Sequence, residues 1–124
     1  MAMTSNFKEV RAWQKAHQFV LLVYSTVASF PTHERFGLSS QFQRAAVSIP
    51  ANIAEGYRRD GMKDKLRFLN IAQGSLEECR YYILLAKDLN YIDESQQIEL
   101  NNSIEDTSRL LNAYYKGIEE RNVL

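Results

Sequence analysis

The sequence predicts an all-α protein, an antiparallel up-down-up-down four-helix bundle. Apolar residues recur at spacings of three and four along four long segments, which is the period of an amphipathic helix. Only five glycines and two prolines interrupt the 124 residues, and no alternating strand pattern occurs. Short polar turns separate the segments, so consecutive helices should be antiparallel neighbours. We expect one domain, residues 1–124, with helices near residues 7–29, 38–59, 62–89 and 93–121.

The first helix is expected to run from about Phe7 to Ser29, and Asn6 followed by Glu9 can cap its start. It should end before Pro31, because the residue that precedes a proline is pushed out of the helical region. Its apolar seam consists of Trp13, Ala16, Val20, Val23, Val27 and Phe30. Beside that seam, a wide core contact or a second interface is indicated by Phe19, Leu21 and Leu22.

The second helix carries two adjacent stripes. The apolar stripe is Leu38, Phe42, Ala45, Ile49 and Ile53, and the polar stripe is Gln41, Arg44, Ser48, Asn52, Glu55 and Arg59. Pro50 removes one backbone hydrogen bond and crowds the Ala46 carbonyl, at a cost of about 3 kcal/mol unless the helix bends. Because both stripes continue across the proline, we favour one helix kinked at Pro50. The alternative is two short helices, with Pro50 in the first turn of the second.

The third helix should start after Asp60, a plausible cap. Its seam consists of Met62, Leu66, Leu69, Ala72, Leu76, Cys79, Ile83, Ala86 and Leu89. Gly74 costs about 1 kcal/mol relative to alanine in a helix, so we expect another helix to approach it closely, through Ala45 or Ala46.

The fourth helix opens with Asp93 and Gln96, which are spaced as in a capping box. Its seam consists of Gln97, Leu100, Ile104, Thr107, Leu111, Tyr114 and Ile118. This helix completes the predicted bundle.

Six sequence blocks resemble the signature of the four-helix-bundle proteins encoded in 23S rRNA intervening sequences. The blocks are residues 10–16, 30–31, 41–46, 48–50, 52–56 and 71–75, and the resemblance extends over most of the chain. The chain departs from that pattern after Gly56, where a second glycine is missing, and at Glu78-Cys79-Arg80, where a leucine is common. The resemblance implies a homo-oligomer, often described as pentameric, of poorly defined function. A similar fold serves as the accessory variability determinant of diversity-generating retroelements, a basic pentamer that works with a reverse transcriptase and nucleic acid.

Composition excludes several classes of function. Net charge is zero, but residues 1–87 hold 12 basic and 7 acidic side chains, whereas residues 88–124 hold 3 and 8. Cys79 is the single cysteine and leaves no tetrahedral metal-ligand set with only two histidines, so we expect no metal and no cofactor. No signal peptide and no span of about 20 apolar residues occurs, so we expect a soluble, cytoplasmic protein without a membrane partner.

Catalytic motifs are also missing. The sequence has no Glu-x-x-His pair, no phosphate-binding glycine loop and no nucleophile elbow, so we expect no enzyme. The polar stripe residues that could position a substrate are Arg44, Ser48, Asn52 and Glu55. We favour a structural network for these four, because buried polar groups are almost always hydrogen-bonded and fix the packing register.

A basic cluster between the second and third helices gives the sharpest functional hypothesis. It places five positive charges in ten residues, which are Arg58, Arg59, Lys63, Lys65 and Arg67. Arginine suits phosphate recognition because its planar fork donates two parallel hydrogen bonds. We expect a sequence-tolerant contact with the backbone of structured RNA or DNA, strengthened by self-association, since the first two helices carry excess apolar surface. The alternative is an oligomeric scaffold that binds only protein.

Overall fold

The computed structural model describes residues 6–121, and within that range the chain is all-α, with no strand. The four helices are α1 (Arg11–Val27), α2 (Leu38–Arg58), α3 (Met62–Asp88) and α4 (Glu94–Arg121). Short 3-10 turns, Phe7–Glu9 and Thr32–Glu34, precede α1 and α2. The prediction of four helices is confirmed, and the predicted domain extends beyond the described residues at both ends.

The helices pack as a square. α1 and α3 each contact both α2 and α4, whereas the diagonal pairs do not approach each other within the described residues. Cross-helix hydrogen bonds join Ser48–Ser75 and Gly56–Lys65 between α2 and α3, and Gln73–Asn112 and Arg80–Glu105 between α3 and α4. In both pairs of helices, the residue number of the partner falls along the second helix as the residue number rises along the first. These two helix pairs therefore run antiparallel.

The apolar seams of all four helices meet in one core. Its fully buried large side chains include Phe19, Phe42, Ile49, Ile53, Leu69, Ile83, Leu100, Ile104 and Leu111. Each such burial contributes about 1.5–3 kcal/mol relative to exposure. Phe19 therefore belongs to a wide core contact, with its ring centroid 6.5 Å from that of Phe42. Leu21, two residues on, stays 58% exposed.

α1 begins four residues later than expected. The Asn6 side chain accepts a hydrogen bond from Lys8 N at 2.8 Å, so it caps the 3-10 turn and not the α-helix. Val10 then adopts an extended conformation and is buried. The extended Val10, whose side chain enters the core, separates the 3-10 turn from α1. The predicted helix start at residue 7 was therefore wrong.

α2 continues through Pro50 without interruption, so the alternative of two short helices is not found. The bend at Pro50 stays a prediction. The start of α2 is satisfied from the preceding turn, because Leu38 N donates to Glu34 Oε1 at 3.0 Å. The N-cap residue itself, Gly37, has no side chain to offer.

Two expectations for α3 were wrong. Asp60 does not cap the helix, because the N-cap position falls on Gly61, one residue later, and carries no side-chain hydrogen bond. Gly74 faces open space, since a Cβ there would meet nothing within 4 Å. The close approach lies at Gly56 instead, where a Cβ would sit 3.2 Å from the Lys65 carbonyl oxygen.

The start of α4 matches the sequence prediction. Gln96 N donates to Asp93 Oδ1 at 2.8 Å, and Asp93 N donates to Gln96 Oε1 at 2.9 Å. This reciprocal pair is a capping box, and it satisfies two backbone donors that the helix itself leaves unpaired.

Candidate nucleic-acid interface

The five basic residues of the predicted cluster surround the α2–α3 turn, but they have different surroundings. Arg58 ends α2, and its side chain is 83% exposed. Its nearest carboxylate oxygen, Asp60 Oδ1, lies 3.9 Å away, so the ion pair is loose. Lys63 is exposed in the first turn of α3. These two cations are presented to solvent and can meet a phosphate directly.

Lys65 points back toward α2. Its Nζ donates to the carbonyl oxygen of Tyr57 at 2.7 Å and to that of Gly56 at 3.3 Å. Both carbonyls lie in the last turn of α2, where the helix leaves carbonyl oxygens to be satisfied from outside, so the ammonium acts as a cap. Partial burial lowers the pKa of Lys65, which fits an inward-facing position. Lys65 thus stabilises the turn, and its ammonium is already engaged by backbone.

Arg59 and Arg67 lie together over one aromatic ring. Their guanidinium carbons are 4.7 and 4.4 Å from the ring centroid of Phe68, within the range of a cation–π contact. Phe68 was absent from the sequence-based site, although its position directly after Arg67 was a signal that could have found it. The ring fixes where both guanidinium groups sit.

Acidic side chains pair with the same two arginines. Arg59 Nη2 donates to Glu55 Oε2 at 2.9 Å, and Arg67 donates to Asp64 Oδ1 from Nη2 at 3.0 Å and from Nε at 3.2 Å. Glu55 was expected in the polar stripe network, and the structure places it here instead. The excess positive charge of the turn therefore comes mainly from Arg58, Lys63 and Lys65, and of these the Lys65 ammonium already contacts backbone carbonyls.

Folding separates charge along the bundle axis. The half that contains the α2–α3 turn, residues 6–17, 49–74 and 111–121, holds 10 basic and 6 acidic side chains. The remaining described residues hold 5 basic and 9 acidic ones. A chain with zero net charge thus has one half at +4 and the other at −4. The field at the α2–α3 end attracts anions.

The polar stripe of α2 is divided in the folded chain. Asn52 Nδ2 donates to Ser48 Oγ at 3.0 Å, and Ser75 Oγ donates to the same oxygen at 2.8 Å. Ser75, a buried residue of α3, was missed by the sequence analysis. Arg44 is exposed and forms no hydrogen bond or ion pair within residues 6–121. Three polar groups therefore link α2 to α3, without Arg44.

An apolar face lies between α1 and α2. We call it the α1–α2 face and define it by Trp13, His17, Leu21, Tyr24, Val47, Ala51 and Ala54. A shallow groove of about 300 Å³ occupies the part of the face that Trp13, His17, Val47, Ala51 and Ala54 line. Trp13 stacks on His17, with ring centroids 5.1 Å apart and planes 7° apart. Leu21, Tyr24 and Val47 are 58%, 48% and 39% exposed, so this face presents large apolar side chains to solvent.

The described residues show neither a metal-ligand cluster nor a membrane-spanning helix. In residues 6–121, no three His, Cys, Asp or Glu side chains are grouped so that they could hold a metal ion. No described helix is both long and apolar enough to cross a bilayer. Cys79 is fully buried on α3, and burial raises the pKa of its thiol. Its surroundings are those of a small core residue.

Comparison with known proteins gives two findings. The family model described as 23S rRNA-intervening sequence protein matches residues 8–113. The fold is similar to the crystal structure of a protein of unknown function from the S23 ribosomal protein family of Bacteroides thetaiotaomicron. The TM-score is 0.76 at 27% identity, and the alignment covers 85% of this chain and 98% of that chain. None of the curated proteins compared matches the chain.

Proposed function

The chain belongs to the 23S rRNA-intervening sequence protein family, and on that premise we propose that it is a non-enzymatic, homo-oligomeric accessory protein that contacts structured RNA. The contact is with the phosphate backbone and is made by the basic end of the bundle. The family description names 23S rRNA, and the structural neighbour is assigned to a ribosomal protein family. DNA of similar charge density is the second nucleic acid whose binding should be measured.

The observation that carries this proposal is the separation of charge between the two halves of the bundle. The half of the bundle that contains the α2–α3 turn has a net charge of +4. Contacts with phosphates supply most of the sequence-independent affinity of a protein for nucleic acid, so this half is the one expected to bind RNA. Arg58 and Lys63 are the exposed cations of that turn. Arg59 and Arg67 add guanidinium groups whose side chains are 42% and 59% exposed.

Self-association would strengthen so small a contact. The α1–α2 face exposes large apolar side chains, and apolar surface of that kind marks an interface. A closed ring, with five copies as the first expectation from the resemblance, would repeat the basic turn on one side of the assembly. Several weak phosphate contacts would then act together, because each further contact becomes intramolecular.

Charge reversal tests the RNA contact. Arg58→Glu with Lys63→Glu should weaken binding of a fluorescein-labelled RNA hairpin, measured by anisotropy at low salt, by more than about tenfold. The slope of log affinity against log salt should shrink by about two, one for each lost phosphate contact. The matched control is Arg35→Glu with Arg44→Glu, two exposed arginines in the acidic half, which should cost much less.

The same assay separates the two functional classes. If the wild-type chain binds neither the RNA hairpin nor a DNA duplex at low salt, the nucleic-acid proposal fails and the oligomeric protein-binding scaffold takes its place. If the control variant weakens binding as much as the turn variant, the α2–α3 turn is the wrong site. Light scattering on both variants establishes that the oligomeric mass has not changed.

A further inference from the structure

We propose that Asp64 occupies, in the RNA-free protein, the position that a phosphate takes between Arg59 and Arg67. Asp64 would then compete with the nucleic acid for this arginine pair and set the affinity of the α2–α3 turn. The inference rests on the proposed function and deepens it, because it assigns an inhibitory role to one acidic side chain inside the basic cluster.

The carboxylate of Asp64 bridges the two guanidinium groups. Its Oδ1 accepts two hydrogen bonds from Arg67, and its Oδ2 lies 4.0 Å from Arg59 Nε. Carboxylate and phosphate are the two anions that the arginine fork recognises, since each offers neighbouring acceptor oxygens. A group that meets two arginines through two different oxygens therefore stands where a backbone phosphate would fit.

Phe68 keeps the pair in place. Both guanidinium carbons lie within 5 Å of its ring centroid, and Phe68 is itself partly buried. Each cation–π contact is independent of Asp64, so the arginines keep their positions when the carboxylate leaves. A phosphate then binds groups that are already ordered, which reduces the entropy lost on association.

Arg59 retains one unsatisfied donor. Its Nε is buried and donates no hydrogen bond within the described residues. The distance of 4.0 Å to Asp64 Oδ2 is too long for a hydrogen bond. Glu55 holds only Nη2, at 2.9 Å. Buried donors are nearly always paired, and this one is not, so Asp64 leaves part of the hydrogen-bonding capacity of the arginine pair unused among the described residues.

Asp60 provides a matched comparison within the same turn. Its side chain is fully exposed, and among the residues that the structure describes its one cation within 4.0 Å is Arg58, at 3.9 Å. Asp60→Asn and Asp64→Asn change the net charge equally, and the two positions lie only four residues apart. A general electrostatic effect would act on both, whereas competition for the arginine pair acts on Asp64 alone.

The experiment measures binding of a fluorescein-labelled RNA hairpin by the full chain at one low salt concentration. Asp64→Asn should tighten binding about fivefold, the upper range for an exposed ion pair, and Asp60→Asn by less than about twofold. Equal effects of the two substitutions would overturn the inference, and so would weaker binding by Asp64→Asn. Circular dichroism verifies that both variants are folded at the assay temperature.

A double-substitution cycle gives a second, independent readout. Because Asp64 masks Arg67, the change Arg67→Gln should cost more affinity in the Asp64→Asn background than in the wild type. The same loss in both backgrounds would contradict the competition. If the wild type binds and the Asp64→Asn and Asp60→Asn variants do not differ, only this inference fails. If neither the wild type nor the Asp64→Asn variant binds the RNA hairpin, both this inference and the proposed function are wrong.

Discussion

The α1–α2 face and the groove between α3 and α4 are both seams between neighbouring helices, yet they differ in chemistry. The α3–α4 groove is bridged by Gln73 and Asn112 at 2.8 Å, and by Arg80, which donates to Glu105 and to Ser108. The α1–α2 face has stacked aromatic rings and exposed aliphatic side chains instead. The polar groups of the α3–α4 groove are paired within the subunit, whereas the α1–α2 face leaves apolar surface exposed to solvent.

The difference predicts which seam mediates assembly. A hydrogen bond across a solvent-exposed groove contributes only about 0.5–1.5 kcal/mol, but it pairs the polar groups of that groove within the subunit. Apolar area gains about 25 cal/mol per Å² when it leaves water, and exposed side chains have not yet gained it. The proposed self-association is therefore expected at the α1–α2 face, and four predictions test this contrast.

The largest expected effect is loss of the oligomer. Val47→Glu places a charge in the α1–α2 face, and burying that charge against a second subunit would cost more than the lost apolar contact. Light scattering should then give a mass near 14.4 kDa, that of the monomer. The control Asn70→Glu adds the same charge beside the α3–α4 groove and should leave the wild-type mass unchanged. A monomeric wild type, or equal masses for both variants, would contradict the assignment.

Gly56→Ala tests the closed contact between α2 and α3. The added Cβ would lie 3.2 Å from the Lys65 carbonyl oxygen and 3.3 Å from Phe68 Cβ, so backbone must move. Overpacking of this kind costs about 1–3 kcal/mol. Alanine regains up to about 1 kcal/mol of helix propensity, so the free energy of unfolding should fall by up to about 2 kcal/mol. Urea unfolding measures the change, and a variant as stable as the wild type would show that the two helices can separate without cost.

Gly74→Ala is the matched change at the open groove. Nothing lies within 4 Å of the added Cβ, so only the helix propensity changes, and the free energy of unfolding should rise by about 1 kcal/mol. The oligomeric mass should stay that of the wild type. A loss of stability in the same urea assay, or a fall in mass, would mean that another subunit contacts the α3–α4 groove.

The smallest effect concerns pH at the start of α2, one of the two helices that form the α1–α2 face. The hydrogen bond from Leu38 N, and then that from Tyr91, holds the pKa of Glu34 below its usual value of 4.5. A depressed carboxyl pKa stabilises the fold above the usual value, and the contribution is lost as pH falls through the folded-state pKa. The stability difference between wild type and Glu34→Gln should therefore shrink below pH 4.5. If the stability difference did not change with pH, the ionised Glu34 carboxylate would not stabilise the start of α2.

Much of the fold was predictable because helix formation depends on neighbours three and four residues away. The seam residues of α2 and most of those of α3 are buried as expected, and the capping box at Asp93 and Gln96 has both of its hydrogen bonds. Cys79 is a core residue, as its place on the α3 seam indicated. The failures at residue 7 and at Asp60 are local shifts of a helix start, where a buried Val10 and the position of Gly61 decided the outcome.

The sequence by itself determined the helices, their apolar faces and a cluster of positive charge, because each of these is a property of spacing along the chain. Only the tertiary structure decided what the charges contact. Lys65 reaches the carbonyls of the preceding helix, and Asp64 and Phe68 engage Arg59 across the turn. These distances depend on how closely α3 packs against α2 at Gly56, and sequence spacing carries no measure of that approach.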